Sequence, residues 1–140
     1  MRLNDLEILV LQHLLAGDDP VLAALRGQVD SVVVKSRDWS GAGFMTAFSV
    51  LESAPQARAN LRAYIGDVYA DINGLRDGAG FILFIEDGRL NFLEGFSPSE
   101  WGEPLPLKRL YCVHPKNPGE AQLVETISRD FSYCCPWRAG

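Results

Sequence analysis

Four side chains near the C-terminus have the chemistry of zinc ligands, namely Cys112, His114, Cys134 and Cys135. Thiolates and imidazoles are the ligands that structural zinc prefers. Cys112 and His114 are two residues apart, so on a strand they would share one face. The adjacent pair Cys134-Cys135 lacks the spacing that is typical of zinc knuckles. We therefore interpret the four as a buried cysteine, a surface histidine and a tail, and we predict neither a metal nor a cofactor.

Candidates for catalysis are few. A nucleophile needs a base and an orienting group beside it, yet the sequence offers only His13 and His114 as histidine bases and has no Gly-x-Ser-x-Gly elbow. Asp67 and Asp71 would share one strand face, where two carboxylates could act as acid and base. Solvated carboxylates are far commoner on strands. The sequence therefore favours a non-enzymatic protein over an enzyme.

The tetrapeptide Gly-Ala-Gly-Phe occurs twice, at residues 41–44 and 78–81, each time preceded by an Arg-Asp pair. Glycine-rich turns can bind phosphate where a strand leads into a helix. Here each copy leads into a strand, so no helix N-terminus is available. We interpret the glycines mainly as backbone architecture that permits positive φ, a bulge or close strand approach. A small-ligand or enzymatic pocket near these turns is the alternative function.

A candidate partner-binding segment follows the second copy. Between residues 86 and 103, five carboxylates are interleaved with aromatic side chains. Aromatic side chains rimmed by like charge are typical of protein interfaces. The alternative is a solvated edge whose aromatic rings turn into the core. The predicted partner-binding residues are Glu94, Phe96, Glu100, Trp101 and Glu103.

Local signals predict the elements that position these residues. Residues 1–28 are predicted to be helical, because Asn4 and Glu7 form a capping box and Asp19-Pro20 is typical of a second helix start. From residue 29 to 114 the period changes to two, which predicts an antiparallel sheet of about five or six strands. The predicted fold class is therefore α+β, with two N-terminal helices packed on the sheet.

The connecting segments are predicted from their composition. Residues 53–64 are predicted to be a loop, and so is the proline-rich stretch after Gly95. Residues 115–140 are predicted to form a short helix, near 120–127, and a tail. No linker divides the chain, so we expect residues 1–140 to form a single domain.

The strongest local signal is Asp87-Gly88, which predicts a two-residue type I′ hairpin. The resulting register would place Glu86 opposite Arg89 and Leu83 opposite Phe92. Both faces of this hairpin are apolar away from the turn, unlike a sheet with one wet face. We therefore predict a mid-sheet hairpin covered on both sides, by the helices and by a chain segment or a second subunit. A homodimer would supply that second cover.

Composition and charge limit the classes of partner. The chain of 140 residues carries a formal net charge of −5. A negative field repels nucleic-acid phosphates and suits a basic protein partner. Three cysteines cannot all pair within one chain, which favours a reducing compartment. The sequence has neither an apolar run long enough for a membrane span nor a good signal peptide. We therefore predict a cytoplasmic protein that binds neither nucleic acid nor membrane.

Glycine-containing motifs follow one another over roughly residues 30–105. They are Gly-Ala-Gly-Phe at 41–44 and 78–81, Ile-Asn-Gly-Leu at 72–75 and Leu-Glu-Gly-Phe at 93–96. The order of these motifs resembles a group of small, mostly uncharacterised bacterial proteins. Some similar small acidic proteins look like immunity partners of secreted toxins. The resemblance implies an immunity-like binding role and no particular activity.

Overall fold

Helices at both ends of the chain flank a run of strands in the computed structural model, which describes residues 1–139. The α-helices are α1 Asp5–Leu14, α2 Pro20–Gln28 and α3 Phe131–Cys134. The strands are β1 Val32–Trp39, β2 Gly41–Val50, β3 Ala63–Ile72, β4 Ala79–Glu86, β5 Arg89–Trp101, β6 Leu107–Pro115 and β7 Leu123–Thr126. Single 3₁₀ turns span Val29–Ser31 and Pro136–Ala139.

The strands form one antiparallel sheet in the order β1-β2-β5-β4-β3-β6-β7. The predicted α+β class, with two N-terminal helices and an antiparallel sheet, is confirmed. The sheet has seven strands rather than the five or six predicted. β5 also runs through the stretch after Gly95 that was predicted to be a loop, because Trp101 still pairs with Gly41 of β2.

The short helix predicted near residues 120–127 is wrong, because the strand β7 occupies this stretch. Leu123–Thr126 pairs antiparallel with the end of β6. The apolar spacing of this stretch fits a helix, but Val124 and Thr126 are β-branched and β6 would otherwise leave backbone groups unpaired. Hydrogen bonding to β6 therefore outweighs the local helical periodicity and makes residues 123–126 a strand.

α1 and α2 cover one face of the sheet, and the predicted caps start both helices. Asn4 N donates to Glu7 Oε1 and Glu7 N donates to Asn4 Oδ1, both at 2.8 Å. Asp19 Oδ1 accepts from the first backbone N–H groups of α2. The core lies between the helices and this face, and its largest fully buried side chains include Leu11, Leu14, Leu22, Leu25, Ile65, Phe81, Leu83, Ile85 and Leu93.

The β4–β5 hairpin lies mid-sheet, as predicted. Its turn residues Asp87 and Gly88 have positive φ of 51° and 69°, which a type I′ turn requires. Glu86 pairs with Arg89 beside the turn, in the predicted register. The turn chemistry therefore determines the register of the first pair.

The next pair, Ile85 opposite Leu90, also follows the predicted register, but from the third pair onward the predicted register is wrong. A bulge next to Phe84 adds a residue to β5, so that Leu83 pairs with Leu93 and not with Phe92. Leu93 is consequently buried in the core, whereas Phe92 lies on the opposite face and stacks on Phe84. This exchange places an aromatic ring on the face that the helices do not cover.

Gln28, at the end of α2, holds the hairpin to the helical layer. Its buried Nε2 donates to Pro55 O at 2.7 Å and to Gly88 O at 2.9 Å. Its Oε1 accepts from Leu90 N at 3.0 Å. All the hydrogen bonds of this amide thus join α2 to the loop before β3 and to the hairpin.

Replacing Gln28 by leucine is expected to lower the free energy of unfolding by about 2–3 kcal/mol, since it removes three hydrogen bonds and leaves the buried Leu90 N–H without its acceptor. Gln56 is the matched control, because it donates to Asp87 O in the same turn but is exposed. Urea unfolding of both leucine variants measures the difference, and equal losses would contradict a special role for Gln28.

Candidate functional site

The face of the sheet opposite α1 and α2 is rich in aromatic side chains, and we call it the open face. Cross-strand pairs define it: Met45 lies opposite Glu94, Glu94 opposite Ile82, and Tyr69 opposite Tyr111. Its side chains are exposed or half-buried within residues 1–139. They are Met45, Tyr64, Tyr69, Asp71, Ile82, Phe84, Phe92, Glu94, Phe96, Arg109 and Tyr111.

The second cover that we predicted for the hairpin is not supplied by the described residues of this chain. Ile82, Phe84, Phe92 and Phe96 remain partly accessible to solvent. Contiguous apolar surface of this kind is uncommon on monomers unless it binds something. The open face is therefore the first candidate for a functional surface.

The aromatic rings of the open face contact one another in two groups. Near the hairpin turn, Phe84 stacks on Phe92 with centroids 4.2 Å apart, and Tyr64 lies 6.2 Å from Phe84. Further along the strands, Tyr69 meets Phe96 edge-on at 6.0 Å. Such pairs hold the rings in defined positions, each contributing about 0.5–1.5 kcal/mol beyond its buried area.

Glu94 lies at the centre of the open face among apolar side chains. Met45 and Ile82 are its cross-strand neighbours, and Phe92 and Phe96 flank it on the same side of β5. No ion pair among residues 1–139 includes Glu94. Its charge is thus free to pair with a cation from outside the chain.

The other carboxylates of this face have partners. Asp71 Oδ2 and Glu125 Oε1 both accept from Arg109, at 2.8 and 2.7 Å. The hydrogen bonds from Arg109 hold the pKa of Glu125 below its usual value. Nearer the hairpin turn, Glu86 lies 3.3 Å from the guanidinium of Arg62. These pairs leave Glu94 as the carboxylate that a partner can use.

A hollow of about 270 Å³ opens beside Glu94, and we call it the tyrosine hollow. Four of its lining side chains are aromatic. Burial raises the pKa of Tyr69 and of Tyr133 further above neutrality. A neutral tyrosine hydroxyl can donate a hydrogen bond. The lining residues of the hollow are Tyr64, Gly66, Asp67, Tyr69, Ile82, Phe96, Tyr133 and Cys134.

The sequence did not predict the tyrosine hollow, because Tyr64 and Tyr69 are five residues apart and would lie on opposite faces of a regular strand. A bulge between Ile65 and Val68 brings them to the same face. Tyr133 comes from a tail that showed no periodicity. Three of its lining residues were singled out from the sequence for other roles: Phe96 for partner binding, Asp67 for acid–base chemistry and Cys134 for metal binding.

The structure divides the five predicted partner-binding residues into three places. Glu94 and Phe96 lie on the open face. Trp101 is only 1 % exposed and packs edge-on against Phe44 at 5.5 Å, so its assignment to a surface site was wrong. The alternation of β5 and the hydrophobic effect place this ring in the core.

Glu100 and Glu103 are exposed, but they lie at the far end of β5. They line a separate hollow of about 460 Å³ together with Gly74, Gly102 and Leu105. Glu94 and Glu100 are six positions apart along β5, a span of about 20 Å. The predicted acidic segment is therefore not one continuous surface.

The candidate metal ligands do not converge. Cys134 and Cys135 are buried with their Sγ atoms 3.2 Å apart, and burial raises the pKa of the Cys112 thiol on β6. His114 lies opposite Val124 in the β6–β7 ladder. Within the described part of the chain, no group of three or more His, Cys, Asp or Glu side chains is arranged to hold a metal ion.

The two Gly-Ala-Gly-Phe copies occupy positions where strands approach closely. Gly43 has a φ of 139°, and a Cβ there would lie 1.9 Å from Gly95 O. A Cβ on Gly80 would lie 2.4 Å from the Phe96 ring and 2.9 Å from the Tyr69 ring, so glycine makes their contact possible. Neither copy lines the tyrosine hollow or a second hollow of about 500 Å³ beside Phe84 and Phe92. Neither lines the hollow beside Glu103 or a groove of about 410 Å³ between α1 and α2.

No protein-family model, curated protein or solved structure matches this chain. Within residues 1–139, helices with the length and apolar character needed to cross a membrane are absent. The two aspartates that we considered as an acid–base pair are each held by an arginine, Asp67 by Arg129 and Asp71 by Arg109. The open face is therefore the main candidate for a functional surface.

Proposed function

We propose that this protein is a non-enzymatic binding protein whose open face takes up a basic segment of another protein. The observation that carries the proposal is Glu94, a carboxylate without an ion-pair partner at the centre of an aromatic surface. When a partner covers such a surface, the carboxylate loses water and needs a cation in its place. A lysine or arginine of the partner would meet that need.

The surroundings of Glu94 favour a protein as the partner. Aromatic side chains dominate the energetics of protein interfaces, and half-buried phenylalanines such as Phe84, Phe92 and Phe96 can contribute large apolar area with few rotatable bonds. The net charge of −5 attracts a basic partner and speeds its association. The resemblance noted above favours an immunity-like form of this role.

A second copy of this chain fits the open face less well. In a dimer with two-fold symmetry, the same patch of both subunits meets itself. Glu94 lies at the centre of that patch, so two unpaired carboxylates would approach each other as water is excluded. Like charges juxtaposed at an interface cost several kcal/mol. We therefore favour a basic partner over a homodimer.

Replacing Glu94 by leucine is expected to leave the melting temperature unchanged or raised, while partner capture falls at least about tenfold. Glutamate is a poor strand residue, and leucine would pack better between Met45 and Ile82. A residue that lowers stability in this way is typical of functional surfaces. Immobilised protein incubated with lysate of the source cell, followed by quantitative mass spectrometry, measures capture, and calorimetry measures the melting temperature.

Glu103→Leu is the matched control, because Glu103 belongs to the predicted acidic segment but lies off the centre of the open face. Proteins captured by the wild type and by Glu103→Leu, but lost with Glu94→Leu, support the proposal. Equal capture by all three proteins, or a loss with Glu103→Leu alone, overturns it. A dimer in light scattering that Phe84→Ser dissociates would assign the open face to a second copy instead.

A further inference from the structure

We infer that the tyrosine hollow is a binding site for one arginine side chain of the basic partner, held by its guanidinium group against the aromatic rings. This inference rests on the proposed function, since it names the group by which the partner is recognised. It adds a site that lies beside Glu94 but is built from other residues.

Three elements of the fold supply the rings. Tyr64 and Tyr69 come from β3, Phe96 from β5 and Tyr133 from α3. The Tyr69 and Phe96 rings are nearly perpendicular, at 85°, so they form two walls of the hollow. A cation within about 6 Å of a ring centroid is attracted by the electrons of the ring face. Several rings around one hollow offer that attraction from several directions.

Glycine gives the hollow its floor. Gly66 has no side chain to fill the space between Tyr64 and Tyr69, and a Cβ there would already touch Ile82 Cγ1 at 3.4 Å. The buried carboxylate of Asp67 also lines the hollow, but Arg129 neutralises it at 2.7 Å. The Asp67–Arg129 pair is neutral overall, so the floor carries no net charge of either sign.

Glu94 supplies the counter-charge at the rim. It lies two residues before Phe96 on the same side of β5, a distance of about 7 Å along the strand. It is also the cross-strand neighbour of Ile82, which lines the hollow. A guanidinium seated among the rings is thus placed to pair with the one carboxylate of the face that has no internal partner.

The same face already shows this chemistry inside the chain. The guanidinium of Arg109 lies over the Tyr111 ring, 4.4 Å from its centroid, while it pairs with Asp71 and Glu125. The tyrosine hollow repeats the arrangement of ring and carboxylate, with Glu94 as the acid, but among residues 1–139 no guanidinium lies over its rings. Arginine suits such a place better than lysine because its planar, weakly hydrated group stacks on rings.

The test titrates isotope-labelled protein with N-acetyl-arginine methylamide and with N-acetyl-citrulline methylamide, followed by nuclear magnetic resonance. Citrulline has nearly the shape of arginine but no charge, so it separates cation binding from shape. We expect saturable shifts at Gly66 and Tyr69 with the arginine compound, and at least about fivefold weaker binding of the citrulline compound. Equal binding of the two, or no shifts at these residues, overturns the inference.

Matched variants assign the binding to the rings. Tyr133 is 39 % exposed, so Tyr133→Leu should fold normally. It is expected to weaken arginine binding at least about threefold, whereas Tyr133→Phe, which keeps the ring, should retain most of it. Ile127→Ala removes an exposed apolar side chain outside the hollow and should bind as the wild type does. Unchanged binding by Tyr133→Leu contradicts the site.

Failure of this inference can be told from failure of the proposed function, because the titration needs no partner. If partner capture is lost with Glu94→Leu but the arginine compound does not bind, the open face is the binding surface and the hollow is not an arginine site. If the compound binds in the hollow but capture is insensitive to Glu94→Leu and Tyr133→Leu, the arginine site stands and the proposed function fails.

Discussion

Replacing Arg129 by leucine is expected to lower the free energy of unfolding by about 3–5 kcal/mol, because it leaves a buried carboxylate without its partner. Arg129 Nη2 and Nε donate to the two oxygens of Asp67 at 2.7 and 2.8 Å. The side chains are only 8 % and 1 % exposed. Arg129 Nη1 also donates to Ala16 O at 2.8 Å. Removing the Arg129 side chain therefore breaks the hydrogen bonds that join the C-terminal segment to β3 and to the residues after α1.

Burial by itself lowers the pKa of Arg129, but the hydrogen bonds and the charge of Asp67 outweigh this effect and raise the pKa. The guanidinium thus stays charged at every pH at which the protein folds. A double variant in which Asp67 and Arg129 are both leucine should recover much of the stability lost by Arg129→Leu. Replacing a whole buried ion pair by apolar residues is often nearly neutral, unlike removing half of it.

Arg109→Leu is the matched control for Arg129→Leu. Arg109 also makes three hydrogen bonds to two acidic side chains, Asp71 and Glu125, but its own side chain is 50 % exposed. Water replaces these bonds when the arginine is lost, so the change in stability should be much smaller. Urea unfolding with far-ultraviolet circular dichroism measures both variants. Similar losses for the two would mean that burial does not decide the strength of the pair.

The second large effect is expected for Glu7→Leu, which should lower the free energy of unfolding by about 3–4 kcal/mol. The Glu7 side chain is fully buried under α1. Its carboxylate accepts from Asn4 N at 2.8 Å, from Arg37 Nη2 at 2.6 Å and from the Thr46 hydroxyl. Leucine would remove the acceptor of Asn4 N and of the buried Thr46 hydroxyl, and Arg37 Nη2 would keep only its bond to Arg2 O. The first turn of α1 would then lose its connection to β1 and β2.

Glu7→Gln separates charge from hydrogen bonding at this position. It keeps one acceptor oxygen, for either Asn4 N or the Thr46 hydroxyl, because these two donors bond to different oxygens of Glu7. It also removes the charged hydrogen-bond partner that raises the pKa of Arg37. We expect it to cost about half as much as Glu7→Leu. Glu86→Leu is the control, since Glu86 pairs with Arg62 at 3.3 Å on the exposed face. A Glu7→Leu protein as stable as Glu86→Leu would refute the role of the buried carboxylate.

Neither buried ion pair includes Glu94 or an aromatic ring of the open face, and this separation is useful for testing function. The buried ion pairs tie α1 and the C-terminal segment to the sheet, whereas Glu94 forms no ion pair within residues 1–139. Variants of the open face should therefore change binding without unfolding the protein. Surface substitutions away from buried networks usually change stability by about 0.5 kcal/mol or less.

The sequence by itself determined the features that depend on neighbouring residues. The capping box of Asn4 and Glu7, the Asp19-Pro20 helix start and the Asp87-Gly88 turn each combine a residue type with a spacing of one to three positions. Their hydrogen bonds or dihedral preferences form within one turn of chain, so local chemistry is sufficient. The same holds for the period-two pattern that predicted the antiparallel sheet.

The tertiary structure alone decided where the functional side chains lie. A bulge in β3 brings Tyr69 to the face of Tyr64, and a bulge in β5 places Phe92 there instead of Leu93. Sequence reasoning found Glu94 and Phe96, but it also assigned Trp101 to a surface site. A single inserted residue exchanges the two faces of a strand. Which residue is inserted depends on pairing and packing with strands far away in the chain, and no local pattern contains that information.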